Sequence, residues 1–551
     1  MKIWDMFRGQ GPHKSKKPRV HESQENDSQR QIINNWMIPF GVVAGFAIAA
    51  FLWLNFIDLQ LFGEGRSFVD VIFLSNPADV GNALGGVSEV LIAILGLVIT
   101  VVAIVVQLAS QRYTPKLVEL FVADRINVGY FMLMVVTSMY SLLLVYSIKS
   151  DFLPFWGSVF LLTMTTLILG LLPPYFRYVF MFLTPGNIIR IIRKNANQGM
   201  QKVLSLKDPN ADTHNLQKEV ANAMEQISDI SLSAVSQMDR NLALLSIRTL
   251  KDVMVDHLLI KRRMPRSWFR AQKEHFPAVS TEFLQGIYEA RSWVEMKGFL
   301  DLELIFKQAI NEMPDAVSAV ANSTKMVGLY AIRLNDIPVL RSVIEFFNTF
   351  LRLSLNNRNP KALYNLFYQY RLLAEAVLEV DEELAEKIAF YFKYYGQIAQ
   401  SYNVPMILIT AAFDLSHMLR KAYDKDVPNI RNLITIFLEV DDNPATQSNE
   451  FDLRSVRKAQ LNFASFLLSR GDNELVKLIF EDIKDEPRER MEAIRAEMMA
   501  VKDRKFWEVT DRGVDFFYLD DDQKRYLDVF YSRYMEPHFA RQSVEAQKAT
   551  A

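Results

Sequence analysis

Four long apolar stretches interrupt the first third of the chain, and the remainder alternates apolar and polar residues with a helical period. A helix that crosses a bilayer needs about 20 mostly apolar residues. Each of the four stretches reaches that length, so the pattern predicts transmembrane helices at 36–57, 86–108, 128–148 and 155–174. Lipid is the usual reason for several such uncharged runs in succession.

From about residue 203 onward, apolar residues recur at intervals of three and four, and short turns with Asn, Asp or Pro separate the segments. Helix pairs recur about every 35 to 45 residues, the range of helical-repeat solenoids. The stretch from Lys458 to Pro487 is similar in outline to a tetratricopeptide-type pair. The predicted fold class is therefore all-α, with a four-helix transmembrane domain followed by a large cytoplasmic helical, solenoid-like domain. A compact helical bundle is the alternative for the second part.

Composition shifts predict six parts of the chain. They are a basic polar segment at 1–34, a transmembrane domain at 35–180, a basic amphipathic connector at 181–202, a helical juxtamembrane domain at 203–300, a helical-repeat domain at 301–540 and a disordered tail at 541–551. Lys and Arg concentrate before the first span and after the fourth, so the positive-inside rule places both termini in the cytoplasm. Within the connector, residues 187–195 fit a basic helix lying along anionic headgroups. Pro173 and Pro174 are expected to end the fourth span.

Composition also excludes several kinds of chemistry. The 62 Lys and Arg balance 63 Asp and Glu, which argues against a nucleic-acid partner. Without cysteine the chain forms no disulfide, thiolate zinc site or Cys nucleophile. The seven histidines are dispersed, and the sequence has no P-loop and no Rossmann glycine pattern. We therefore predict no enzyme, no catalytic residue, no bound cofactor and no metal site.

The second predicted span carries small and polar residues on one helical face, because steps of three and four keep side chains on the same side. The members of this stripe are Gly86, Glu89, Ala93, Gly96, Thr100, Ala103 and Gln107. Small residues let helices approach closely in lipid, so the stripe fits a helix–helix contact. Alternatively, stripes from several subunits surround a pathway, with Glu89 as an outer carboxylate ring that favours cations.

The run QLASQRYTPKL at 107–117, followed by FVADR at 121–125, resembles a bacterial family of predicted inner-membrane proteins catalogued as domain of unknown function twenty-two fifty-four. The resemblance extends from about residue 35 to 250. The matching loop residues are Ser110, Tyr113, Pro115, Asp124 and Arg125. A second landmark, DISLSAVSQMDRNLA at 229–243, keeps Asp229 and Ser236 but lacks the family's Pro-Gly and Asn-Asp-Pro elements. The family has no assigned activity, so the resemblance implies a multi-pass bacterial inner-membrane location and no chemistry.

Two functions follow as expectations. The first is a homo-oligomeric, channel-like inner-membrane protein whose second span lines or borders the pathway and whose cytoplasmic helices assemble or gate it. The second is a membrane-anchored scaffold or sensor whose repeat domain binds a cytoplasmic protein. In both, the lipid bilayer is a constant partner.

Overall fold

The structure is a computed structural model of the 551-residue chain. It describes residues 45, 49, 53, 56–57, 77–112, 121–122, 124–149, 154–206, 208, 211–442, 450–506 and 512–550. The chain divides into an N-terminal unit, Met1–Ile188, and a C-terminal unit, Ile189–Ala551.

The N-terminal unit contains three long apolar helices within its described residues: α1 (Pro77–Arg112), α2 (Arg125–Ser147) and α3 (Phe155–Phe182). Each is long and apolar enough to cross a membrane. They correspond to the second, third and fourth predicted spans, and α2 packs against both of the others. The predicted span at 36–57 lies outside the described residues, except for helical positions 45, 49, 53 and 56–57.

Helix α3 continues through Pro173 and Pro174 to Phe182, so the expected end at 174 is not observed. A proline inside a helix removes one donor and one intrahelical bond. In an apolar solvent, unwinding the chain at that point would leave further backbone groups without partners, so spanning helices tolerate proline better than soluble helices do.

Helix α4 (Pro185–Ser205) contains most of the predicted connector. Its apolar residues Ile189, Ile192 and Ala196 are buried within the C-terminal unit, at most 2% exposed. On its polar side, Arg193 forms ion pairs with Asp252 at 2.7 Å and Asp256 at 2.9 Å. The expectation that 187–195 rests on headgroups is therefore not met, because both its apolar face and its central cation contact protein.

The remainder of the C-terminal unit is helical. Its helices are α5 (His214–Ser236), α6 (Arg240–Ile260), α7 (Thr281–Ala290), α8 (Trp293–Ala309), α9 (Pro314–Arg333), α10 (Ile337–Asn356), α11 (Pro360–Val377), α12 (Glu382–Ser401), α13 (Met406–Asp424), α14 (Ile430–Leu438), α15 (Glu450–Ser469), α16 (Asn473–Ile483), α17 (Arg488–Ala500), α18 (Asp521–Phe530) and α19 (Glu536–Thr550). Helix α19 occupies most of 541–551, where a disordered tail was predicted.

These helices stack in two layers. In the first layer, α6, α9, α11, α13, α15 and α18 each pack against the next, and in the second α5, α8, α10, α12, α14 and α16 do the same. Each helix of the second layer also packs against a sequence neighbour in the first. Nearest-neighbour stacking of helix pairs is the architecture of an α-solenoid, which confirms the predicted solenoid-like body.

The repeat is visible in the spacing of helices and of hydrogen bonds. Helices α8, α10, α12, α14 and α16 begin 43–48 residues apart, at and just above the upper end of the predicted range. Side chains bridge equivalent positions of adjacent pairs: Lys325 Nζ donates to Gln369 Oε1 at 2.8 Å, and the Tyr395 hydroxyl donates to the carbonyl of Asn348 at 3.0 Å. Each pair is thus tied to the next by polar contacts as well as by apolar burial.

Several tight turns between helices share one local pattern. A residue with positive φ follows one helix, and the next residue, Asp or Asn, caps the following helix. Asn335 (φ 51°) precedes Asp336, whose side chain accepts from the backbone of Val339, and Gly471 (φ 78°) precedes Asp472 in the same way. Asn and Gly tolerate the left-handed region best, and Asp is a favoured N-cap. The loosely matched landmark at 229–243 forms the same turn.

A fully buried polar cluster joins α6 to α8. His257 Nδ1 lies 2.5 Å from Glu295 Oε1, and Trp268 Nε1 donates to His257 Nε2 at 3.0 Å. Indole nitrogen can only donate, so Nε2 accepts and Nδ1 carries the proton given to Glu295. Burial disfavours the charge of Glu295, whereas Lys261 and the hydrogen bond from His257 favour it. The cluster is enclosed on all sides and orients α6, α8 and the chain between them.

Candidate functional site

Helix α1 has two chemically different faces. Leu84, Leu91, Val98 and Val102 are buried, none more than 5% exposed, and they form the face that packs within the N-terminal unit. The seven small and polar residues predicted to share one face of this span, here called the α1 stripe, are all exposed among the described residues. With 3.6 residues per turn, the stripe lies roughly opposite the buried face. The stripe residues are therefore together on one surface, and no described residue covers them.

The surface of the stripe is sterically open, and the hydroxyl of Thr100 on it has a hydrogen-bond partner. A Cβ atom added to Gly86 or Gly96 would meet nothing within 4 Å among the described residues. The hydroxyl of Thr100 donates to the carbonyl of Gly96 at 2.8 Å. A threonine that bonds its own helix carries no unmet polar demand into lipid. Close approach of a second helix is thus sterically possible along this face.

The two strongly polar members mark the ends of the stripe. A helix rises about 1.5 Å per residue, which places Glu89 and Gln107 about 27 Å apart along the axis. This separation is close to the hydrocarbon thickness of a bilayer, about 30 Å. Only the small residues and Thr100 then face the apolar interior, and this pattern is typical of close helix–helix contacts.

Two of the family loop residues, Asp124 and Arg125, lie at the start of α2. Asp124 caps this helix: its Oδ1 accepts from the backbone nitrogens of Ile126 and Asn127 at 3.1 and 3.2 Å. The same oxygen accepts the hydroxyl of Tyr178, on α3, at 2.6 Å. Arg125 is exposed. Asp124 is therefore a structural cap at the start of α2.

The other family loop residues lie near the end of α1 or outside the described residues. Ser110 is half-buried near the end of α1. Tyr113 and Pro115 lie outside the described residues, so their predicted part in the loop stays a prediction.

A buried polar network beside this cap was not predicted. The Tyr175 hydroxyl donates to Asn127 Oδ1 at 2.5 Å, and Asn127 Nδ2 donates to the carbonyl of Phe121 at 3.2 Å. The rings of Tyr130 and Tyr175 stack with centroids 4.1 Å apart. Tyr175 is only 5% exposed. Asn127 near the start of an apolar span was the available signal, because a polar amide in such a position usually has a partner.

The C-terminal unit has its own candidate surface, crossed by the chain between α17 and α18. In this strap, residues 512–519, Arg512 pairs with Asp414 of α13 and donates to the carbonyl of Tyr364 at 3.1 Å. Phe516 stacks on Phe413 with centroids 4.0 Å apart, and Lys458 Nζ lies 4.3 Å from the centroid of Phe517. The strap therefore packs against α11, α13 and α15.

Cations concentrate beneath the strap. Arg371 also contacts Asp414, at 3.1 Å, while Arg512 is only 2% exposed and Asp414 is fully buried. Burial, reinforced by the charges of these arginines and Arg420, lowers the pKa of His417 to about 3. His417 is thus neutral at physiological pH and acts as an aromatic neighbour of Phe413, at a centroid distance of 4.5 Å. In sequence, the signal for the strap is an arginine followed by two phenylalanines in a stretch without helical periodicity.

Among the described residues, no group of three or more His, Asp or Glu side chains is arranged to hold a metal ion.

Comparisons with known proteins bear on the N-terminal part of the chain. The model of a family described as "Predicted membrane protein (DUF2254)" matches residues 34–230, which confirms the resemblance found at QLASQRYTPKL. A search of curated proteins finds no match. Among solved structures, the chain is similar to a circular tandem repeat protein with novel repeat topology and enhanced subunit contact surfaces, at 14% identity and a TM-score of 0.32, over 86% of this chain and 99% of that one.

Proposed function

We propose that this chain, whose residues 34–230 match a family of predicted membrane proteins, is a multi-pass bacterial inner-membrane protein that assembles with copies of itself through the α1 stripe. The assembled spans border a pathway for ions or small solutes, and the solenoid holds or gates the assembly. The observation that carries the proposal is the position of the α1 stripe, exposed and roughly opposite the face by which α1 packs within its own unit.

Physical chemistry favours a protein neighbour for this face. In lipid, no hydrophobic force drives apolar helices together. Their association therefore depends on close van der Waals packing. Ala93, Gly96 and Ala103 allow that approach, whereas Ile92, Leu97 and Ile104 beside them are bulky and exposed. A bulky–small–bulky surface fits a second helix centred on the small residues.

Single-cysteine cross-linking tests the assembly directly, because the chain has no cysteine of its own. We expect Ala103→Cys and Ala93→Cys to form disulfide-linked dimers in membranes under mild oxidation. The neighbours Ile104→Cys and Ile92→Cys are matched controls, exposed on the same helix but beside the stripe. Equal cross-linking at stripe and control positions, or none at any, would remove the proposed contact.

Pathway formation needs a separate measurement. Purified protein in sealed liposomes is expected to pass cations, and Glu89→Gln to weaken the preference for cations over anions, because a carboxylate ring at a pore mouth attracts cations. If the stripe cross-links but the liposomes stay tight under voltage, tension and changes of pH, the protein assembles without forming a pathway.

A second function, a membrane-anchored scaffold or sensor, is favoured by the solenoid, since stacked helix pairs offer an extended surface to other proteins. The strap covers part of one layer, so a partner would use an uncovered surface such as Phe390 and Tyr394, which are 47% and 43% exposed. Capture with the full-length wild-type protein, but not with a Phe390→Ser and Tyr394→Ser variant, is the expected result. Identical proteins captured by both would argue against this surface.

A further inference from the structure

One long insertion interrupts the solenoid. Helices that begin successive pairs are otherwise 43–48 residues apart, but α5 begins at His214 and α8 at Trp293. The extra chain comprises three short 3-10 turns between Lys261 and His275 and the short helix α7. In repeat proteins, insertions of this kind lie on one face, often the binding face.

The first half of the insertion is strongly basic. Between Lys261 and His275 it contains six Lys and Arg and one acidic residue, the exposed Glu274. Two of them hold the insertion on the solenoid: Lys261 pairs with Asp336 at 2.6 Å, and Arg262 donates to the carbonyl of Leu334. The other four, the basic patch, are all exposed. They are Arg263, Arg266, Arg270 and Lys273.

The cations of the basic patch differ from the buried and half-buried arginines of this unit, which contact carboxylates. None of its four side chains forms an ion pair or hydrogen bond with a described residue, whereas Arg193, Arg371, Arg457, Arg490 and Arg512 each contact carboxylates. Four neighbouring cations repel one another, and an external anionic surface relieves that repulsion. The patch is therefore complementary to something outside the described chain.

The patch is held on a rigid base. Trp268 and Phe269, between its arginines, are at most 1% exposed. Gln217 Nε2 donates to the carbonyls of Trp268 at 2.6 Å and Arg270 at 3.2 Å, and the Trp268 indole donates to buried His257. Arginines on an ordered loop lose little backbone entropy when they bind.

The second half of the insertion adds apolar surface. Helix α7 begins at a Ser280 cap and has one buried residue, Ile287, while Phe283 is 43% exposed. In α10, a helix of the stack, eleven residues are buried. Helix α7 has no Lys or Arg and carries Glu282 and Glu289, so it contributes apolar surface, while attraction to anionic headgroups comes from the basic patch.

We propose that the insertion at 261–290 docks on an anionic phospholipid surface, with the basic patch on headgroup phosphates and Phe283 at the acyl boundary. The family match makes such a surface available, since this is a chain of a predicted membrane protein. The proposal does not depend on assembly through the α1 stripe.

A depth measurement tests the docking in the full-length protein. Gln285→Cys on α7, the only cysteine of that variant, carries an environment-sensitive fluorophore, and the protein is reconstituted in vesicles with a headgroup nitroxide quencher. We expect quenching in vesicles that contain phosphatidylglycerol and little in phosphatidylcholine alone. High salt should reduce it, because screening weakens attraction to anionic lipid.

Matched variants assign the effect to the basic patch. Arg263→Gln, Arg266→Gln and Arg270→Gln together should lower the ratio of docked to undocked protein by about 100-fold, roughly 5-fold per charge near an anionic surface. Arg248→Gln, Arg352→Gln and Arg431→Gln together remove three exposed arginines elsewhere in the unit and should leave quenching unchanged. Because the salt series uses an unsubstituted patch, it tests the proposal even if the triple variant fails to fold.

Several results would overturn the proposal. Quenching that is absent in both lipids, equal in both, or lost equally in both triple variants would each do so. A fluorescence response to poly-glutamate without any response to lipid composition would assign the patch to an acidic protein segment instead.

Discussion

Removing the guanidinium of Arg512 is the sharpest test of how the strap contributes to the C-terminal unit. This group is 2% exposed, pairs with fully buried Asp414 and donates to the carbonyl of Tyr364. Deleting one partner of a buried ion pair typically costs about 3–5 kcal/mol. Arg371 still contacts Asp414 in the variant, so the loss is expected at the lower end of that range. Since a domain is stable by about 5–15 kcal/mol, Arg512→Ala should cause a large loss.

The chain offers a matched control at its surface. Arg525 pairs with Asp522, but the two side chains are 77% and 70% exposed. Exposed pairs contribute about 0–1 kcal/mol, so Arg525→Ala should change stability little. Arg512→Lys should fall between the two, because an ammonium keeps the charge but loses the forked contact.

The assay is urea unfolding of the detergent-solubilised full-length protein, followed by far-ultraviolet circular dichroism. We expect Arg512→Ala to lower the free energy of unfolding by about 3 kcal/mol or more relative to Arg525→Ala. A double-mutant cycle with Asp414→Asn should show strong coupling, since the two side chains act as a unit. Equal losses for the two alanine variants, or additive effects in the cycle, would refute the account of a strap locked by a buried charge pair.

Three further predictions rest on other polar groups. The pKa of His417 falls from 6.5 to about 3 on folding, so the wild type should lose stability relative to His417→Gln as pH decreases across that range. The expected loss in the free energy of unfolding, measured by urea titration, is about 1.4 kcal/mol per pH unit. Parallel pH profiles of the unfolding free energy for the two proteins would contradict this. Trp268→Phe removes the donor to buried His257 Nε2 and should cost about 1–3 kcal/mol by the same titration at neutral pH, whereas an unchanged midpoint would mean that water or a rearrangement replaces the bond. Asp124→Ala loses both a helix cap and the Tyr178 contact and should cost about 2 kcal/mol, against about 1 kcal/mol for Tyr178→Phe, in thermal unfolding of the spans; a smaller effect for Asp124→Ala than for Tyr178→Phe would rule out the cap.

Much of the architecture was predictable because it depends on patterns local in sequence. Runs of uncharged residues identify α1 to α3, and spacings of three and four identify the solenoid helices. Predictions from the sequence were wrong where a local tendency competes with another physical effect. Pro173 and Pro174 favour a helix end, but in lipid an interrupted helix is the costlier outcome, so α3 continues. Residues 187–195 have a membrane-binding composition, yet Asp252 and Asp256, some sixty positions later, pair with Arg193.

By itself, the sequence determined the helical class, the apolar spans and the repeat of paired helices, and it placed the small and polar residues of α1 on one face. Only the tertiary structure decided that this face lies opposite the packed one, that Arg512 returns to Asp414, and that the arginines of the insertion have no carboxylate partners among the described residues. The physical reason is the separation along the chain over which each interaction acts. Helix formation and amphipathicity depend on residues three and four apart, whereas burial and ion pairing depend on which distant segments share a surface, and composition does not encode that.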